Sequence, residues 1–196
     1  MQKLAYQDIT QDDLLIYIRP LEAGQSGHVK NSIHFNAGNF SKFANKFLAN
    51  GQDVVFIIGN DDQAQLTEFE QVIATLTQAQ VKGYIDFAHI PPASTEGIAT
   101  IPADDFLEMV NEDGDYTLLD LRHPDEITRP APEANLVNIP LENLSSDYST
   151  LDADRTIYTL CGSGNRATTA ASFLIDKGYK VTVVEGGMKA VSELQE

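Results

Sequence analysis

The fold of the chain is indicated by residues 156–178, which read TIYTLCGSGNRATTAASFLIDKG. Residues 156–160 are rich in β-branched and aromatic side chains, which is typical of a strand. The glycines that follow interrupt regular structure. Residues 166–177 then place apolar side chains on one face of a helix that stops at Gly178. A strand, a glycine-rich loop and a helix in this order indicate one unit of an α/β sheet.

Two further strands are predicted in the second half of the chain. Residues 116–121 and 181–184 are short apolar runs that end at turn-forming residues, as buried strands do. Strands that alternate with helices favour a mostly parallel sheet with helices on both faces. We therefore predict an α/β fold for this half.

The first half of the chain repeats the pattern of the second. LLIYIRP at 14–20 parallels LLDLRHP at 118–124, DVVFII at 53–58 parallels RTIYTL at 155–160, and KGY recurs at 82–84 and 177–179. Such self-similarity indicates an internal duplication of about a hundred residues per copy, a common domain size. We predict two tandem domains, residues 1–92 and 98–196, with the PPASTEG stretch at 91–97 as a linker.

The two copies diverge at the loop after the central strand. Where the second copy has Cys161, the first has Gly59, followed by Asn60, Asp61 and Asp62. Acidic side chains at this place repel an anion. We interpret the first half as a non-catalytic copy.

The loop at 161–166, CGSGNR, carries the predicted chemistry. Ligands of open parallel sheets bind outside the carboxyl ends of the strands, and a tight loop there turns backbone N–H groups and a helix N-terminus toward an anion. Gly162 and Gly164 permit the necessary backbone conformations, and Arg166 adds a fixed positive charge. A cysteine at the lip of this loop is stabilised as the nucleophilic thiolate. Cys161 is therefore predicted to form a covalent intermediate without a general base.

Residues 101–194 resemble a rhodanese homology domain. The resemblance rests on DLR at 120–122, NIPL at 138–141, the loop at 161–166 and EGGM at 185–188, in this order. It implies that Cys161 accepts sulfur as a persulfide and that Arg166 closes the loop. It further implies that Asp120 and Arg122 support the loop without reacting. The backbone N–H groups implied to hold the anion are those of Gly162, Ser163, Gly164, Asn165 and Ala167.

Structural interpretations of the same residues stay open at this point. Cys161 can be a buried inert thiol, and Arg166 a solvated residue of the first helical turn. Asp120 can cap a turn, and Arg122 can pair with Asp125 or Glu126 at the surface. Turn formation alone can also explain Ser163, Asn165 and the glycine pair 186–187.

The resemblance has one departure. The family usually carries Gly-His-Ile-Pro-Gly-Ala before its Asn-Ile-Pro, whereas this chain has RPAPEA at 129–134, and the first half keeps a closer version, GHVKNS, at 27–32. An inactive copy followed by an active copy is similar to tandem rhodaneses. Such tandems also occur behind a metallo-β-lactamase-like domain in persulfide-oxidising enzymes, so a protein of that kind or another sulfur-metabolism protein is an expected partner.

Composition restricts the other partners. The net charge of −16 disfavours nucleic acid and anionic membranes. The N-terminus shows no signal peptide and no apolar run is long enough to span a bilayer, which predicts a cytoplasmic protein. A single cysteine excludes an internal disulfide, and the four histidines lack metal-ligand spacing, so we expect no metal and no organic cofactor.

Three functions fit these features. The first is a sulfurtransferase that moves sulfane sulfur from thiosulfate or a low-molecular-weight persulfide, small anionic donors, to a thiol or cyanide acceptor. The second is a sulfur-relay or binding module of a larger persulfide-metabolising enzyme. The third is a cysteine phosphatase or arsenate reductase, but those phosphatases place five residues between Cys and Arg, whereas this loop places four. The smaller ring favours sulfur over phosphate.

Overall fold

A computed structural model of the protein describes residues 1–48, 51–59, 63–75 and 79–196. The chain divides into two compact units, Met1–Gly97 and Ile98–Glu196. The Asn60-Asp61-Asp62 segment, predicted to repel anions, lies outside the described residues. Among the residues that are described, no helix has the length and apolar character needed to cross a membrane.

In the part of it that the structure describes, the first unit is built on a parallel sheet of four strands. Its strands are β1 (Leu14–Ile18), β2 (His28–Val29), β3 (Ser32–Phe35), β4 (Asp53–Ile58), β5 (Gln80–Asp86) and β6 (Thr95–Glu96), and its helices are α1 (Leu21–Ser26), α2 (Ala37–Phe47) and α3 (Leu66–Thr75). The sheet order is β3-β1-β4-β5, and β2 pairs with β6 in a separate antiparallel ribbon.

Apolar side chains on both faces of this sheet are buried. On one face, the rings of Phe40 in α2, Phe69 in α3 and Phe56 in β4 pack against one another, with centroids 5.1 to 5.9 Å apart. On the other, Tyr17 and Ile57 pack in a cluster that includes N-terminal residues such as Tyr6. Side chains alternate between the faces of a strand, so neighbouring residues of β4 reach different clusters.

The second unit is a parallel sheet of five strands. Its strands are β7 (Ala99–Ile101), β8 (Tyr116–Asp120), β9 (Leu136–Asn138), β10 (Thr156–Leu160) and β11 (Val181–Val184), and its helices are α4 (Ala103–Val110), α5 (Leu141–Asp147), α6 (Asn165–Asp176) and α7 (Gly187–Glu193). The sheet order is β7-β11-β10-β8-β9, with every pair parallel.

Helices cover both faces of the second sheet. Phe106 of α4 and Val191 of α7 pack with Leu118 and Leu160 on one face. The side chains next to these along β8 and β10 point to the opposite face, where α6 contacts β10 and β11. The α/β class predicted from the sequence, with mostly parallel sheets flanked by helices, is confirmed. The central position of β10 places the loop after it among the carboxyl ends of the neighbouring strands.

The proline-containing stretch at 91–97 belongs to the first unit. A 3₁₀ turn occupies Pro92–Ser94, and β6 pairs with β2 through His28↔Glu96 and Val29↔Thr95. The backbone of this stretch is therefore held by hydrogen bonds, as an ordered segment requires. Unit 1 accordingly extends beyond residue 92.

The match between the two KGY stretches is wrong. Gly178 follows the end of α6 with a φ of 87° and serves as the expected helix stop. Gly83 instead lies inside β5, where a Cβ would come within 2.4 Å of the Gln2 carbonyl oxygen. Glycine is needed at position 83 because another backbone segment lies too close for a Cβ, and at position 178 because φ is positive. The KGY sequence therefore occurs in two different backbone conformations.

Candidate functional site

The loop between β10 and α6 surrounds the sulfur of Cys161. The backbone N–H groups of Gly164 and Ala167 donate hydrogen bonds to Sγ, with N···S distances of 3.2 and 3.4 Å. Gly164 precedes α6 with a φ of 92°, a conformation that favours glycine. Two of the N–H groups predicted to hold the anion thus point at the sulfur.

The sulfur takes the place of a helix cap. The first N–H groups of an α-helix have no partner within the helix, and a side chain before the helix often accepts from them. Gly164 at the cap position has no side chain, and Cys161 Sγ accepts from the Ala167 N–H in the first turn instead. The positive end of the α6 dipole favours negative charge at this point.

Cys161 lies beneath the loop and is only 1% exposed. The prediction that it lies at the lip of the loop is wrong. The reason is that Cys161 directly continues the central strand β10, whose last residue, Leu160, is also fully buried. Cys161 therefore lies below the surface of unit 2.

The segment after β11 supports the loop from its backbone side. Met188 N–H donates to the Cys161 carbonyl oxygen at 2.7 Å, and Lys189 N–H donates to the Gly162 carbonyl oxygen at 3.0 Å. Gly187, with a φ of 59°, approaches so closely that a Cβ would lie 2.3 Å from the Cys161 carbonyl oxygen. Gly186 lies in a turn, as the open interpretation had it, whereas Gly187 is the first residue of α7 and supports the loop by this contact. The EGGM motif was the available signal for this contact.

Arg166 forms an ion pair with Glu126, and the carboxylate accepts directly from guanidinium Nη1. Burial opposes the charged form of Arg166, but the Glu126 carboxylate and the Cys161 thiolate raise the pKa of Arg166 above its ordinary value. Burial also opposes ionisation of Glu126, yet hydrogen bonds from Arg166 and the His123 N–H hold the pKa of Glu126 below its usual range. Both groups therefore stay charged near neutral pH.

Glu126 was not singled out by the sequence as a site residue. It ends a 3₁₀ turn at Pro124–Glu126, and its Oε1 accepts from the His123 N–H at 2.8 Å. The available signal was the capping-box spacing between His123 and Glu126. That signal indicates a local turn but does not name Arg166, which lies forty residues away in the chain.

Asp120 and Arg122 form a buried ion pair with each other. Arg122 Nε and Nη2 donate to the two carboxylate oxygens of Asp120 at 2.7 to 3.1 Å, and both residues are less than 10% exposed. Arg122 Nη1 also donates to the Arg129 carbonyl oxygen at 2.9 Å. The surface pairing of Arg122 with Asp125 or Glu126 is therefore wrong. The pair holds the chain after β8, from which Glu126 reaches Arg166.

Two asparagine side chains near the loop make hydrogen bonds that stabilise the local backbone. Asn138 Nδ2 donates to the carbonyl oxygens of Asp120 and Arg122, both at 2.9 Å, and so fixes the end of β8. Asn165 Nδ2 donates to Ser163 Oγ at 3.2 Å, a contact typical of turn formers.

Within the described ranges, no group of three or more His, Cys, Asp or Glu residues is placed to hold a metal ion.

Known proteins are similar in sequence to the second unit. A family model described as "Rhodanese-like domain" matches residues 102–194. A Bacillus subtilis protein named "Putative sulfurtransferase YtwF" is 32% identical over 84 residues, which cover 42% of this chain and 80% of that protein.

Two solved structures share a similar level of identity. A rhodanese-related protein from Thermoplasma volcanium is 33% identical, with 49% of this chain and 92% of that one covered and a TM-score of 0.45. The reduced form of Bacillus anthracis CoADR-RHD is also 33% identical, with 48% of this chain but only 16% of that one covered and a TM-score of 0.44. From the family match and the Bacillus subtilis relative, the chain belongs to the rhodanese-like domain family through its second unit.

Proposed function

We propose that the second unit is a sulfurtransferase that carries sulfane sulfur as a persulfide on Cys161. Family membership supports sulfur transfer in general. The observation that carries the proposal is the pair of N–H groups, from Gly164 and Ala167, that converge on Sγ at the N-terminus of α6. These donors are already oriented toward the sulfur and stabilise negative charge there before transfer, and such preorganised donors usually make the largest single contribution to catalysis.

The transfer occurs in two displacement steps. The Cys161 thiolate attacks the outer sulfur of the donor, a new S–S bond forms, and the bond to the rest of the donor breaks. Sulfite leaves from thiosulfate, or a thiolate leaves from a persulfide, and the leaving group takes the electron pair of the broken bond. An acceptor thiolate or cyanide then attacks the outer sulfur of the Cys161 persulfide and releases the Cys161 thiolate. This sequence needs no external oxidant or reductant and gives ping-pong kinetics.

The supporting residues have separate roles in this proposal. Arg166 sits at the loop and neutralises part of the negative charge of the donor, while Asp120 and Arg122 hold the end of β8 and do not react. Ser163 and Asn165 shape the turn. The acceptor is a small thiol or the thiol of another sulfur-metabolism protein, such as a metallo-β-lactamase-like persulfide enzyme.

Mass spectrometry of the intact chain tests the proposal. After treatment with thiosulfate, glutathione persulfide or polysulfide, we expect the added mass of one sulfur atom, because Cys161 is the single cysteine of the chain. Cys161→Ser should fold normally and gain no sulfur. A wild-type thiol that remains unmodified with all three donors would overturn the proposal. Loading without turnover in the presence of cyanide would assign the unit to sulfur relay instead of steady-state transfer.

A further inference from the structure

We propose that Glu126 sets the donor preference of the Cys161 site by neutralising Arg166, so that the site favours organic persulfides over the thiosulfate dianion. This inference rests on the proposed sulfurtransferase function and goes beyond it. It names a residue outside the loop that selects the class of donor.

The Glu126 carboxylate is held in place before any donor arrives. Its Oε1 accepts from the His123 N–H at 2.8 Å as well as from Arg166 Nη1. The turn that carries it is further closed by the Asp125 N–H, which donates to His123 Nδ1 at 3.2 Å. A carboxylate fixed by its own backbone turn pairs with a guanidinium at a smaller entropic cost than a free side chain does.

The guanidinium that Glu126 neutralises belongs to the loop that holds the reacting sulfur, and the charge of Cys161 acts on it. Arg166 is the single Lys or Arg in the loop 161–166, and its Nη2 lies 3.8 Å from the position of a Cβ on Gly162. Its side chain is only 18% exposed. Glu126 accepts from Nη1 alone, so an incoming anion can still reach other N–H groups of Arg166, but it meets a guanidinium whose charge the Glu126 carboxylate already offsets.

The balance of charge at the loop disfavours a dianion. One positive charge on Arg166 faces the carboxylate of Glu126, and the Glu142 carboxylate also acts on it. These three side chains together carry one net negative charge, in a chain whose total charge is −16. Thiosulfate brings two negative charges directly beside its outer sulfur. Glutathione persulfide brings at most one at the reacting end, because its carboxylates are remote, and so it meets less repulsion.

The test compares two variants that each remove one negative charge from the same turn. Glu126→Gln keeps the size of the side chain and an oxygen that can accept from the His123 N–H, but it no longer neutralises the charge of Arg166. Asp125→Asn is the matched control, because the Asp125 side chain is 92% exposed and its ion-pair contact is with His123. The measurement is the second-order rate of sulfur loading on Cys161, by rapid quench and mass spectrometry, with thiosulfate and with glutathione persulfide.

We expect Glu126→Gln to raise the ratio of the thiosulfate rate to the persulfide rate by about tenfold at low salt, and by less at high salt because screening weakens charge effects. Asp125→Asn should keep the wild-type ratio. In the wild-type protein, the thiosulfate rate should rise with KCl more steeply than the persulfide rate. This salt measurement does not depend on the folding of any variant.

Other outcomes overturn the proposal. If Glu126→Gln changes the loading rates of both donors by the same factor, Glu126 only stabilises the loop. If Asp125→Asn shifts the ratio of the two rates as much as Glu126→Gln does, the effect comes from the total charge of the protein. A wild-type thiosulfate rate that falls with KCl contradicts the proposed repulsion. Loading at an unchanged ratio overturns this inference alone, whereas loading from neither donor overturns the sulfurtransferase function as well.

Discussion

The two units use the same strand order but place different groups at the carboxyl ends of their strands. The first sheet runs β3-β1-β4-β5, and the second runs β9-β8-β10-β11 with β7 added beside β11. The central strand β4 is followed by Gly59, whereas β10 is followed by Cys161. That the first unit is a degenerate copy of the second stays a prediction from the sequence, and the shared strand order supports it.

The difference extends to the strands beside the loops. In unit 2, Arg122 pairs with the buried carboxylate of Asp120. At the matching positions of unit 1, Arg19 donates to the Tyr17 hydroxyl at 3.0 Å and lies 4.9 Å from the centre of the Phe87 ring. The frameworks correspond, but one unit holds its strand end with a charged pair and the other with aromatic rings. The shared strand order therefore does not by itself supply the chemistry, which depends on a few side chains at one edge of the sheet.

The largest effect is expected from removal of Arg122. Arg122→Ala leaves the Asp120 carboxylate buried without its partner, which should cost about 3–5 kcal/mol of stability in unit 2. Arg19→Ala removes a hydrogen bond and a ring contact in unit 1 and should cost only about 1–2 kcal/mol. Hydrogen–deuterium exchange with mass spectrometry reports each unit separately. Equal losses in the two variants would contradict the distinction between the two strand ends.

The next effect is expected at Gly187. Gly187→Ala forces a side chain into a positive φ and against the Cys161 carbonyl oxygen, which should destabilise unit 2 by about 3 kcal/mol and slow sulfur loading. Gly27→Ala in unit 1 is the control, because a Cβ there meets nothing within 4 Å. Chemical denaturation measures the loss of stability, and the rate of sulfur loading on Cys161 measures the effect on the site. Unchanged loading in Gly187→Ala would mean that this turn does not fix the loop.

The smallest effect is a difference in acid sensitivity. Burial lowers the pKa of His34 in unit 1 to about 4, from 6.5 for an exposed imidazole. The unfolded chain binds a proton in this window and the folded chain does not. The stability due to neutral His34 is therefore complete above pH 6.5 and decreases as the pH falls toward 4. Between pH 7 and pH 5 we expect unit 1 to lose about 2 kcal/mol.

NMR titration of the histidines checks this prediction. The His34 imidazole should remain neutral at pH 5, and burial also lowers the pKa of His28. Replacement of His34 by Asn should reduce the acid sensitivity of unit 1. An imidazole signal of His34 that titrates near 6.5 would contradict the prediction.

Local structure could be predicted closely from the sequence. The strands expected at 156–160 and 181–184 are observed at those residues, and the helix expected at 166–177 is observed as Asn165–Asp176. These features depend on side-chain periodicity and on glycine, which act within a few residues. The depth of Cys161 could not be predicted, and the EGGM motif marked a turn only by resemblance without naming the contact of Gly187 with the Cys161 carbonyl oxygen, because both depend on how β10 and β11 pack.

The sequence by itself determined the α/β class, the glycine-rich loop after a buried strand and the position of the single thiol. These follow from local backbone preference and from the pattern of apolar residues. Only the tertiary structure decided that Arg166 pairs with Glu126, that Arg122 pairs with Asp120, and which N–H groups reach the sulfur. The physical reason is that ion pairs and close backbone contacts join segments distant in the chain, and the order of strands in the sheet decides which segments meet.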